Sequence, residues 1–167
     1  MRVIVLWALV IVLCYSLQTS LLSFINVNGF SANLMLLMTV SIAIMRGHRF
    51  GVFFGFIVGL LQDLTSGNFF GLATFSYMTI ALLFGNFSSN LFREQALLPV
   101  ISAVPALALH YLITIVFLFL LGFPIDLVNF IRNDFWPPAI MQVILAWPMH
   151  RIVYLLCEYS KENFNLF

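Results

Sequence analysis

Only 8% of this 167-residue chain is charged and 63% is hydrophobic, giving a mean hydropathy of +1.09 and a net charge of +1. A soluble domain carries about 25% charged residues, so that class is excluded, and the length leaves no room for a soluble catalytic domain beside the apolar runs. Those runs repeatedly reach the ~20 residues that a helix needs to cross a ~30 Å hydrocarbon core.

Inside lipid every backbone N–H and C=O must be satisfied within its own segment, which favours helices. The runs are continuously apolar and do not alternate, which excludes a closed barrel. One all-α, polytopic membrane domain over 1–167 is therefore predicted, with about six transmembrane helices.

The first run, from Val3 to about Ile25, follows Met1-Arg2 in the manner of a signal peptide. It is too long for a cleaved segment and lacks a small-x-small site, so it predicts a retained helix over 3–25. Asn26 to Gly29 closes it. Helix two is expected over 32–45, the turn RGHR over 46–49, and helix three over 50–64, ended by Thr65 to Asn68. Helix four is expected over 70–92, followed by Arg93-Glu94, and helix five over 97–121. The connection 122–135 holds Gly122, Pro124 and Asn129, and Trp136-Pro137-Pro138 opens helix six over 136–158. Proline in a first helical turn loses no hydrogen bond. Helices two and three are short for a crossing, which suits re-entrant segments or locally thinned bilayer.

Basic residues set the orientation. With the N-terminus cytoplasmic, Arg2, Arg46, Arg49, Arg93, Arg151 and Lys161 fall inside and only Arg132 falls outside. This positive-inside bias predicts six helices with both ends cytoplasmic. Cys14 and Cys157 lie in the first and last helices, follow no metal spacing, and read as small apolar packers.

Gly51, Gly55 and Gly59 recur at one turn's spacing on one face of helix three. Such a face packs a neighbouring helix closely, either within the chain or at a subunit contact that includes a homodimer. Asp63, about 18 Å along the same axis from Gly51, is a carboxylate among apolar residues that needs neutralisation, hydration or a partner. His110 lies at a similar depth in helix five, above a kink expected at Pro105, and an Asp63–His110 contact is one expectation. Trp147-Pro148 suggests another kink, with Arg151 able to extend its guanidinium toward the headgroups. Arg151, Tyr154, Glu158 and Lys161 share one helical face. Gln18, Ser20 and the cluster Asn86 to Asn90 read as helix-to-helix hydrogen bonders. There is no HExxH, GxSxG, phosphate-binding glycine loop or paired carboxylate at helical spacing, so no enzyme, cofactor, metal or nucleic-acid partner is expected.

The segment MRGHRFGVFFGFIVGLLQDLTSGNFFGLATFSYMTIALLFGNF resembles the MreD family of rod shape-determining integral membrane proteins. It is similar in the arginine-glycine turn, the glycine-face helix ending G-L-L-x-D, and the helix that follows Phe70-Gly71-Leu72. The specific part covers about 46–87, with length and predicted topology agreeing over the whole chain. The family often carries Pro-Asp where this chain has Ala32-Asn33. The resemblance implies a non-enzymatic scaffold in the bacterial inner membrane that acts with an MreC-like bitopic partner. It also implies work beside the glycosyltransferase–transpeptidase pair that builds peptidoglycan. The expected partner or helix-packing interface is Gly51, Gly55, Gly59, Asp63, Gly71 and His110. Chains of this size and hydropathy also resemble the substrate-binding subunits of energy-coupling-factor transporters for vitamins or metals, and that resemblance implies a similar fold. A lipid or precursor flippase is a third reading, but no basic residue lies clearly in mid-membrane.

Overall fold

The computed structural model describes residues 2–24, 32–66, 70–87, 98–123 and 135–163. The described residues form six helices: α1 (Arg2–Phe24), α2 (Leu34–Arg46), α3 (His48–Ser66), α4 (Leu72–Phe87), α5 (Leu98–Leu120) and α6 (Trp136–Asn163). Segments α5 and α6 are long and apolar enough, over Val100–Leu120 and Trp136–Ser160, to cross a membrane by length and composition. Shorter apolar stretches are Val5–Ser20, Leu34–Arg46 and Leu72–Asn86. Pro105 and Pro148 both lie inside continuous helices.

Helix α2 is the centre of the molecule. Every residue from Leu34 to Ile44 is buried, as expected of a helix that is apolar on all sides, and α2 touches each of the other five helices. Around it α3 packs on α4, α4 on α5, α5 on α6, and α6 on α1. Side chains join α1 to α3: Trp7 meets Phe54 edge-on at 5.9 Å, and Gln18 Nε2 donates to Gln62 Oε1 at 3.3 Å. At ~1.5 Å per residue α2 is only about 20 Å long, so both its ends lie within the bundle.

The turn between α2 and α3 is tighter than RGHR suggests, because His48 and Arg49 are already helical. Gly47 alone makes it, with φ 86°, a conformation open to glycine at little strain. Its N–H donates to Ala43 O at 3.0 Å and its carbonyl accepts from Gly51 N at 3.0 Å, so one residue ends α2 and begins α3.

From that turn α3 runs antiparallel to both α2 and α4. A Cβ on Gly51 would lie 2.6 Å from Ala43 Cβ, and one on Gly59 only 2.5 Å from Thr74 Cα. Gly55 faces Thr39 Cγ2 and Tyr77 O, each at 3.1 Å. The glycine face is thus filled from within the chain by α2 and α4. Of the two readings the spacing left open, packing within the chain is the one these contacts match. Gly85 on α4 extends the same seam, with the His48 backbone where its Cβ would stand.

Candidate functional site: a polar network drawn from all six helices

Two helix N-termini, those of α2 and α4, lie at the end of the bundle where α1 and α3 finish. A helix start leaves four backbone N–H groups without intrahelical acceptors, and burial makes each unmet donor costly. The chain answers with side chains from neighbouring helices.

At α2, Asn33 is the N-cap, with extended backbone (φ −97°, ψ 91°) and Oδ1 accepting from Leu36 N at 3.0 Å. The Asn33 N–H itself donates to Gln142 Oε1 of α6 at 2.9 Å, and Gln142 Nε2 returns a bond to Asn33 O at 3.3 Å. Met35 N donates to Gln18 Oε1 of α1 at 3.2 Å. Asn33 Nδ2 donates to Tyr77 OH of α4 at 2.6 Å. Gln142 and Tyr77 are fully buried, and Gln18 is 9% exposed.

At α4, Gly71 occupies the N-cap position with φ 95° and no side chain to offer. Asp63 of α3, only 5% exposed, supplies the missing acceptors. Its Oδ1 accepts from Ala73 N at 2.9 Å, and its Oδ2 accepts from Thr74 N at 2.9 Å and from Thr74 Oγ1 at 2.5 Å. A carboxylate at a helix N-terminus also meets the positive end of the macrodipole. Asp63 is therefore paired by backbone and hydroxyl groups of α4.

Asp63 and His110, for which a contact is expected from sequence, are not joined by a hydrogen bond. His110 Nδ1 instead pairs with Ser76 Oγ of α4 at 3.0 Å, Ser76 Oγ donates to Ala73 O at 3.0 Å, and the His110 ring lies 5.6 Å from Tyr77. Both residues address the first turns of α4, Asp63 at Ala73 and Thr74 and His110 at Ser76. Among the described residues no group of three or more His, Cys, Asp or Glu is placed to hold a metal.

At the opposite end Arg46 closes α2. Its guanidinium stands 5.9 Å from the Trp7 ring and 5.8 Å from the Phe50 ring, and Nη2 donates to Cys157 O at 3.3 Å. Arg49 and Arg151 are exposed. Arg2 and Lys161 fall in α1 and α6, whereas Arg93 and the residues 88–90 of the asparagine cluster lie outside the described residues, as do Asp126, Asn129, Arg132 and Asp134. Cys14 and Cys157 are both buried thiols.

Sequence reasoning named Gln18, Asp63 and His110 but missed Gln142, Tyr77, Thr74 and Ser76. The signal for Gln142 was present: one amide in an otherwise apolar stretch of α6.

No curated protein and no solved structure matches this chain. The family model described as rod shape-determining protein MreD matches residues 1–160, essentially the whole chain. The arginine-glycine turn, the glycine face and the capping aspartate all fall within that match, and the chain belongs to the MreD family.

Proposed function

We propose that this MreD-family protein is a non-enzymatic scaffold of the bacterial elongation machinery, crossing the inner membrane six times with both ends cytoplasmic. It docks the single transmembrane helix of an MreC-like bitopic protein and so supports the glycosyltransferase–transpeptidase pair of peptidoglycan synthesis. The family's role in rod-shape determination and the two long apolar helices support the membrane setting. Arg46, Arg49 and Arg151 accord with a cytoplasmic end at the α2–α3 turn.

One observation carries the scaffold reading over the transporter and flippase readings. The interior polar groups bind helix ends and one another: Asn33, Gln142, Gln18 and Asp63 all hold backbone N–H groups. Among the described residues the only buried side-chain polar atom without a bond is His150 Nδ1. A substrate-capturing site needs convergent polar groups left open to a ligand; here they fix helices instead.

The test is affinity purification of the full chain in mild detergent with an MreC-like protein and an energy-coupling ATPase both present in the host. Stoichiometric retention of the MreC-like protein supports the scaffold. Retention of the ATPase module, or of a radiolabelled vitamin, in its place overturns it.

A further inference from the structure

The outward face of α6 carries two side chains that lipid does not satisfy. Trp147 is 61% exposed, and Arg151, also exposed, follows one turn later on the same face. Neither makes a hydrogen bond, ion pair or ring contact with any described residue. Ionisable side chains in transmembrane segments almost always face the bundle interior or a water-filled cavity. Arg151 faces out of the bundle.

Their depth follows from the two ends of α6. Arg46 Nη2 bonds Cys157 O, so Cys157 stands level with the α2–α3 turn at the cytoplasmic interface. Trp136 opens α6 at the other end, and the rise between the two is about 32 Å, close to a ~30 Å core. Trp147 then stands about 15 Å from Cys157, at the middle of the core, and Arg151 about 9 Å from it, in the cytoplasmic half. An indole N–H at the middle meets no lipid oxygen. The Arg151 stem also starts away from the nearer headgroups. Helical side chains tilt toward their helix's N-terminus, which in α6 is the outer end.

We infer that the Trp147–Arg151 face of α6 docks a transmembrane helix of a different protein, one that brings a carboxylate to Arg151. This rests on the scaffold reading and locates its interface. Depth speaks against lipid, whose phosphates and esters lie at the interface and not beside Trp147. Charge speaks against a second copy. A two-fold axis along the membrane normal sets the same face of each copy together, so Arg151 would meet Arg151 at one depth. Trp147 and Arg151 offer donors and no acceptor. A carboxylate within a partner's span needs a cation as much as Arg151 needs an anion. Tryptophan and arginine are also the side chains that dominate interface energies.

The experiment places a photoreactive residue at Leu155, 54% exposed and one turn from Arg151, or at Phe75, 63% exposed on α4. Each full-length variant is co-expressed in membranes with the MreC-like bitopic protein. Crosslinking to that protein from Leu155 and not from Phe75 is expected. Arg151→Gln, which keeps a donor but loses the charge, should lower the Leu155 yield by about 3- to 20-fold, the range of one interhelical polar contact. Arg151→Lys, which keeps the charge, should lower it less. Equal or greater yield from Phe75, an unchanged yield in Arg151→Gln, or adducts from Leu155 with lipid alone or with a second copy would each overturn this face while leaving the scaffold standing. Failure of the bitopic protein to co-purify at all overturns the scaffold itself. The Leu155–Phe75 comparison in the otherwise unaltered chain keeps the inference testable should Arg151→Gln fail to accumulate.

Discussion

Asp63 caps a helix to which it does not belong, in place of the side chain that Gly71 lacks. Gly71 is held at φ 95°, so the position selects glycine, and a glycine N-cap has no oxygen to give the first turn. Asp63 reaches across from α3 to Ala73 N, Thr74 N and Thr74 Oγ1. The two residues form one functional cap split between two helices.

Asp63→Ala should therefore destabilise the fold by about 2–4 kcal/mol, more than the usual loss of an N-cap, because three partly or fully buried donors lose a charged acceptor together. Asp63→Asn keeps one acceptor oxygen and should recover about half of that loss. Unfolding of the detergent-solubilised chain, followed by circular dichroism, measures both. Equal stability of all three chains would mean that α4 is held by packing alone.

Gly59→Ala should cost about 1–3 kcal/mol, the range for overpacking a close contact. Its Cβ would meet Thr74 Cα at 2.5 Å, and backbone cannot turn aside as a rotamer can. Gly55→Ala should be milder, since its nearest neighbours stand at 3.1 Å and one is the Thr39 methyl. A thermal-denaturation series that ranked Gly55→Ala as the worse of the two would contradict the α3–α4 register.

Much of this architecture was legible because it rests on local signals. Continuous apolar runs gave the helices, and RGHR located a turn that Gly47 makes alone. The four-residue glycine spacing identified a close-packed face. The network was harder to read, because the groups that need satisfying are backbone donors, which carry no letter in the sequence. Which distant side chain meets them is fixed by tertiary packing: Gln142 reaches Asn33 from the far end of the chain. For the same reason Asp63 was matched with His110, the other costly side chain at its depth, whereas the uncapped turn at Gly71 offered nearer donors. The departure from Pro-Asp at Ala32-Asn33 has a simple account. Asparagine offers the same capping oxygen as aspartate, and Asn33 Oδ1 uses it on Leu36 N.

His110 and Asp63 share no direct hydrogen bond and meet only through the Ala73–Ser76 turn of α4, so they should couple less in a double-mutant cycle than His110 and Ser76 do. His110 and Ser76, joined at 3.0 Å, should couple by about 0.5–1.5 kcal/mol. The cycles combine His110→Leu with Asp63→Asn or Ser76→Ala and read unfolding free energies. Strong coupling in the first cycle and none in the second would restore the direct pair.

Arg46 is the counterpart of this network at the other end of α2, and there the chemistry is that of a planar cation. The last turn of α2 presents unsatisfied carbonyls and the negative end of its dipole, which a cation stabilises. The guanidinium also lies within cation–π range of both Trp7 and Phe50, and it donates to Cys157 O, so one side chain joins α1, α2, α3 and α6. Lysine keeps the charge but loses the flat face and the fork of donors. Arg46→Lys should thus retain the dipole interaction and lose most of the bridging, for a destabilisation of about 1–2 kcal/mol. Arg46→Gln, without charge, should lose more. Unfolding of the detergent-solubilised chains, followed by circular dichroism, measures both, and in a Trp7→Leu background the loss from Arg46→Lys should shrink, because one of its ring contacts is already gone. Unchanged stability of Arg46→Lys would show that the apolar contacts of α1 hold it without the cation.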